Sequence, residues 1–172
     1  MRPGRLLRAA QRLAALLGEG SGLAGGLAVA AWGEIRATRD VDFVTVRPLP
    51  DVERALRDAG LTFVTRRGDP LGRDLPWVVD GELDGVRFQV FAPRGGKPFS
   101  TVGVSPAGGE GRPVPVLDLA DLIRLKLEAG GPKDLWDVAR LLRRYPEERS
   151  RALSQASSLG VAGELNRWLK RE

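Results

Sequence analysis

The chain has 172 residues and a mass of 18.6 kDa, with 42% apolar and 28% charged residues. Those values fit one globular domain and exclude a generally disordered or collagen-like chain. There is no cysteine and no histidine, which removes disulfides, thiolate nucleophiles, thiolate zinc sites, Ser-His-Asp triads and any imidazole base.

Twenty-seven basic residues against 22 acidic ones give a net charge of +5 and a pI near 10.4, which favours an anionic partner. Any chemistry must come from carboxylates, Lys, Arg, Tyr, hydroxyls or a hard metal held by oxygen. Residues 5–17 set Leu6, Leu13, Leu16 and Leu17 on one side and Arg5, Arg8 and Arg12 on another. This is an amphipathic helix, stopped by Gly18 and Gly20. The recurring arginines interrupt the apolar region that a signal peptide needs, and no run reaches the roughly 18 residues of a membrane span. A cytoplasmic protein is expected.

Residues 21–33 read as a short strand, a glycine turn at Gly25-Gly26 and a short helix ending at Gly33. Residues 41–46 are β-branched and aromatic, a strand. Pro50 to Ala59 reads as a helix, and residues 61–65 as a strand. Residues 77–80 and 86–91 flank a turn rich in Gly and Asp, the pattern of an antiparallel hairpin. Residues 93–113 read as loop with a short strand at 101–104. Asp118 is placed to cap a helix carrying Leu122, Leu125 and Lys126, and Pro132 opens the next one. Two further helices are expected over 147–159 and 161–170. The outline is α/β (α+β) in one domain over 1–172: a mixed sheet over about 21–116, then a helical part over about 117–172.

One stretch carries chemistry. Gly25 and Gly26 fall between an apolar strand and a helix start, where bare amides can meet phosphate. Asp40 and Asp42 are two apart on a strand, so both project from one face. Side-by-side carboxylates repel unless a cation joins them, and Mg²⁺ takes such oxygens together with phosphate oxygens. Two metals about 3.5–4 Å apart would activate an attacking hydroxyl and stabilise a leaving pyrophosphate. Arg36 and Thr38 lie just upstream, placed to contact phosphate or brace the turn.

Elsewhere the bland readings compete. Lys126 on an apolar helix face reads as a snorkelling lysine. Asp134 and Asp137 read as charges complementing a helix N-terminus. Arg140, Arg143 and Arg144 read as a solvated face or an RNA-backbone patch, and the four tryptophans as packing groups.

The run from Gly25-Gly26 through Arg36-x-Thr38-x-Asp40-x-Asp42, followed by residues 117–129 with Lys126 and then Lys133-Asp134-x-x-Asp137, resembles the nucleotidyltransferase superfamily with the DNA polymerase β-like fold. The likeness spans about 21–142 and is greatest to small bacterial members of abortive-infection and toxin–antitoxin systems. It implies a nucleotidyltransferase-like mixed sheet flanked by helices, with Gly25 and Gly26 cradling a nucleoside triphosphate. It further implies Asp40 and Asp42 on Mg²⁺, and Arg36, Thr38 and Lys126 in the phosphate site. The implied reaction moves a nucleotidyl group to a hydroxyl on RNA, protein or a small molecule, with a small helical partner protein in a toxin–antitoxin or phage-defence setting.

Such enzymes usually carry a third carboxylate on a later strand. Here that position is best matched by Gln89, with Glu82 and Asp84 as substitutes if the register differs. Many relatives also have serine at the position of Gly26. The alternative readings are a catalytically inactive binding or antitoxin-like module and a plain RNA-binding protein using its basic C-terminal part.

Overall fold

The computed structural model describes residues 3–35, 37–68, 75–105 and 112–171. Seven strands form one mixed sheet: β1 (Ser21–Ala24), β2 (Asp40–Thr45), β3 (Phe63–Arg67), β4 (Trp77–Leu83), β5 (Val86–Phe91), β6 (Thr101–Val104) and β7 (Val114–Leu117). Their order across the sheet is β3-β4-β5-β2-β1-β7-β6. β2 runs parallel to β5, and β1 parallel to β7; the other neighbours are antiparallel. The sheet thus places β2 between the strand that leads into the glycine pair and the second strand of the hairpin.

Seven helices accompany the sheet among the described residues: α1 (Pro3–Leu17), α2 (Gly25–Ala31), α3 (Leu49–Asp58), α4 (Leu119–Ala129), α5 (Pro132–Arg144), α6 (Arg149–Ser158) and α7 (Ala162–Leu169). α1 buries Leu6, Ala9, Ala10, Leu13 and Leu17, the three-to-four spacing of one helix face, against β1, β2, β7 and α3. α4 begins where the Asp118 side chain accepts from the Asp121 amide at 2.8 Å, and it ends at Gly130 in the left-handed conformation. α5 starts on Pro132, whose missing N–H costs nothing at a helix start. It packs on α4 and α7.

Strand alternation sorts the sheet's residues. Val41 and Phe43 on β2, Phe88 and Val90 on β5, and Val79 on β4 are buried. The positions between them form two polar rows: Asp40 opposite Arg87 opposite Glu82, and Asp42 opposite Gln89 opposite Asp80.

Most expected elements are present with shifted ends, β3 by about two residues. One strand was not expected. β7 lies between the stretch read as loop and the expected helix start, and it pairs with β1 through Leu23 and Val116 and with β6 along its length. It is only four residues long and holds Pro115, and a proline lowers any sequence-based claim to an interior strand. Residues 106–111 of the expected loop lie outside the described residues. No helix among the described residues is long and apolar enough to cross a membrane.

Candidate active site

Gly25 follows β1 directly and adopts φ +60°, a conformation that side-chain-bearing residues rarely take. Its missing Cβ also makes room for a neighbour. A Cβ built there would fall on the Asp42 carboxylate, with the carboxyl carbon at 2.6 Å. The antiparallel pairing of Ala24 with Asp42 produces this approach, because it brings the end of β1 across from the strand position that carries the acid. The two halves of the sequence motif therefore touch.

A cavity of about 220 Å³ opens at this contact. Gly25, Asp42 and Gln89 line it from the sheet, and Leu122, Leu125, Lys126, Glu128 and Ala129 line it from α4 and its end. Arg94 and Asp134 complete its polar lining. Asp40 projects from the same face of β2 one pleat before Asp42 and is half exposed. Its Oδ1 is shielded, lacks a hydrogen bond among the described residues, and lies 3.1 Å from Arg87 Nη2.

Lys126 does not snorkel. Its side chain is 6% exposed, and Nζ sits 2.9 Å from Asp134 Oδ1 and 2.7 Å from Asp137 Oδ2. Asp137 is fully buried, so it is part of this ion triad and not merely a charge complementing a helix end. The ammonium donates to Asp134 and ion-pairs with Asp137 while Lys126 also lines the cavity. Glu128 is almost as buried, and its Oε1 accepts from Lys97 Nζ at 2.9 Å and Arg124 Nη1 at 3.3 Å. Arg94 donates to the Glu128 carbonyl, which ties the chain after β5 to the end of α4.

The structure thus brings Gly25, Asp42, Gln89 and Lys126 to one cavity. Gly26 is buried within α2, and Thr38 Oγ1 donates to the Asp40 carbonyl at 3.4 Å, bracing the start of β2. Arg36 lies outside the described residues. Gln89 stands directly beside Asp42 in the parallel register. Glu82 is exposed opposite Arg87, and Asp84 sits in the hairpin turn, ion-paired to Arg12.

Asp80 was missed by reading the sequence. It ends the row that starts at Asp42, and its Oδ1 accepts from Gln89 Nε2 at 2.9 Å. Counting the hairpin register outward from the Asp84-Gly85 turn would have found it. Arg94 and Glu128 carried no signal, because each acts through a contact made only in three dimensions.

The donor set suits a hard divalent cation. Asp40 and Asp42 offer carboxylate oxygens from one strand face, Asp40 Oδ1 has no hydrogen bond among the described residues and faces Arg87 at 3.1 Å, and Gln89 stands next to Asp42 with a neutral oxygen. Among the described residues no group of three His, Cys, Asp or Glu side chains is placed to hold a metal, so phosphate oxygens and water would have to complete the shell.

No protein-family model matches the chain, and no curated protein matches it. Solved structures do. A Thermotoga maritima protein described as a candidate nucleotidyltransferase, TM1012, superposes with a TM-score of 0.57 at 18% identity, over 86% of this chain and 96% of that one. The solution structure of the antibiotic-resistance factor ANT(2″)-Ia superposes with a TM-score of 0.55 at 15% identity, over 96% of this chain and 92% of that one.

Proposed function

The chain has the nucleotidyltransferase fold, and from that premise we propose that it binds a nucleoside triphosphate with Mg²⁺ in the cavity beneath α4 and transfers the nucleotidyl group to an acceptor. The observation that carries this reading is the meeting of Gly25, Asp42, Gln89 and Lys126 at one cavity, from three separate stretches of sequence.

Asp40 and Asp42 would hold the ion, with Gln89 beside Asp42. When bound, Mg²⁺ draws negative charge from the phosphate oxygens and orients them for displacement. The bare backbone at Gly25 lets the phosphate chain come close to the sheet, and the Lys126 ammonium faces the same cavity as a donor to a phosphate oxygen. The two aspartates on Lys126 fix the ammonium in place, so no rotamer search is needed when nucleotide arrives. The apolar cavity wall of Leu75, Phe91, Leu122 and Leu125 excludes water from one side of the site.

Calorimetric titration of ATP, CTP, GTP and UTP with Mg²⁺ tests the proposal. At least one should bind, and Asp42→Asn should remove that binding while leaving the fold intact by circular dichroism. If none of the four binds the wild type, the reading fails. A second reading is favoured by Gln89 alone: a chain with this fold that has lost catalysis and serves as a binding or antitoxin-like module. It predicts nucleotide binding without transfer of an α-phosphate label to any acceptor.

A further inference from the structure

A hydroxyl acceptor needs a base to take its proton, and the row beside Asp42 offers none. Gln89 holds the neighbouring position, and an amide accepts no proton near neutral pH. The next carboxylate, Asp80, has both oxygens in use. Oδ1 accepts from Gln89 Nε2 at 2.9 Å, and Oδ2 accepts from Arg66 Nε at 2.9 Å and Nη2 at 2.6 Å. An ionised carboxylate only accepts, so it obliges Gln89 to turn its NH₂ toward Asp80 and its carbonyl oxygen away.

Next to the first cavity lies a second, of about 450 Å³, lined by Arg66, Arg67, Gly68, Leu75, Val78 and Arg94. The two share Leu75 and Arg94, which stand between them, so they are adjacent. Three guanidinium side chains and no carboxylate line the second cavity among the described residues. Its size is that of a small-molecule site, typically about 300–1,000 Å³.

We infer that the acceptor is a small phosphomonoester, bound through its phosphate by Arg67 and Arg94 beside the Asp80-paired Arg66, with an oxygen of that phosphate as the nucleophile. The inference rests on the nucleotidyl-transfer reading and names the acceptor class for it. A phosphomonoester has a second pKa of about 6 and is mostly dianionic at neutral pH, so no base is required. Guanidinium forks match its oxygens. One acceptor phosphate oxygen forms a bond to the α-phosphorus while the bond from that phosphorus to the α–β bridging oxygen breaks. Pyrophosphate leaves with the electron pair, and the product is an ester joined to the nucleotide through a diphosphate bridge. No proton is transferred and nothing is oxidised. The neutral side chain at position 89 is then an advantage, because a carboxylate there would repel the incoming dianion.

The test uses the full chain saturated with Mg²⁺ and the α,β-methylene analogue of whichever triphosphate binds, which fills the triphosphate site. Inorganic phosphate is then titrated and followed by calorimetry and by ³¹P line broadening. Phosphate should bind saturably. Arg67→Ala and Arg94→Ala should each weaken it about tenfold, the scale of one lost hydrogen bond to a charged group. Gln89→Glu should weaken it as well, and circular dichroism serves as the control for folding of each variant. Absence of saturable phosphate binding to the nucleotide-loaded chain overturns the inference, as does binding indifferent to both arginine variants. Failure of the wild type to bind any nucleotide instead overturns the underlying reading.

Discussion

Position 25 is where two demands coincide. The backbone there is left-handed, and the space a Cβ would fill belongs to the Asp42 carboxylate. Gly25→Ala therefore meets both backbone strain and a clash with a charged group that cannot retreat without leaving the cavity. Strained backbone of this kind costs about 1–3 kcal/mol. We expect the variant to unfold at lower urea by an amount in that range and to lose nucleotide binding in calorimetry. Loss of stability without loss of binding would mean that Asp42 has moved aside harmlessly. Gln89→Leu is the contrasting case, since it keeps bulk but removes the oxygen beside Asp42. Groups that support a metal site typically contribute tenfold to a hundredfold in affinity, so Mn²⁺ binding with nucleotide should weaken by about tenfold.

At the level of elements, α4 and α5 are joined by charges withdrawn from water. Lys126 on α4 faces Asp134 and Asp137 on α5, and Asp137 has no exposed surface. Breaking such a buried pair by removing one partner typically costs about 3–5 kcal/mol, because the charge left behind is uncompensated. Lys126→Met should therefore lower stability by an amount of that order in denaturant melts, far beyond the effect of Asp118→Ala, which removes only the α4 cap and costs about 1 kcal/mol. Equal effects would show that the ions of the triad are solvated.

The sequence made some of this legible and hid the rest for physical reasons. The glycine pair and the i, i+2 aspartates are local patterns, so Gly25 and Asp42 could be named from spacing alone. The Asp118 cap and the proline start of α5 are local too. The burial of Lys126 was not legible, because a lysine's exposure depends on what packs over it. Nor was the row from Asp42 to Asp80, since it depends on the register of three strands. Asp137 reads as an ordinary helix-start charge until α4 is laid against it.

On the scale of the whole molecule, one contact ties the last third of the chain to the first motif. Tyr145, just past α5, donates its hydroxyl to the Trp32 carbonyl at 3.0 Å, and the two rings meet edge to face at 5.8 Å. Trp32 in turn donates its indole N–H to the Leu117 carbonyl at the end of β7. Tyr145→Phe keeps the ring and removes one hydrogen bond, worth about 1 kcal/mol. For a chain of this size that is a fall in Tm of about 2–4 °C, measurable by calorimetry.

Two of the three arginines on α5, Arg140 and Arg143, are held within the fold. Arg140 pairs with Glu34 at 2.7 Å and lies over the Trp136 ring, and Arg143 donates to the Trp168 carbonyl. That arrangement weighs against an RNA-backbone patch there.

The cavity's walls are also far apart in the order of synthesis. Asp42 emerges from the ribosome early, and Lys126 follows about eighty residues later. A nascent chain ending after β5 holds Asp42 and Gln89 but not the α4 residues that wall the cavity. On the proposed reading, nucleotide capture is consequently a late event in biogenesis, and a translation pause placed before α4 would yield a chain that lacks the Lys126 wall of that site.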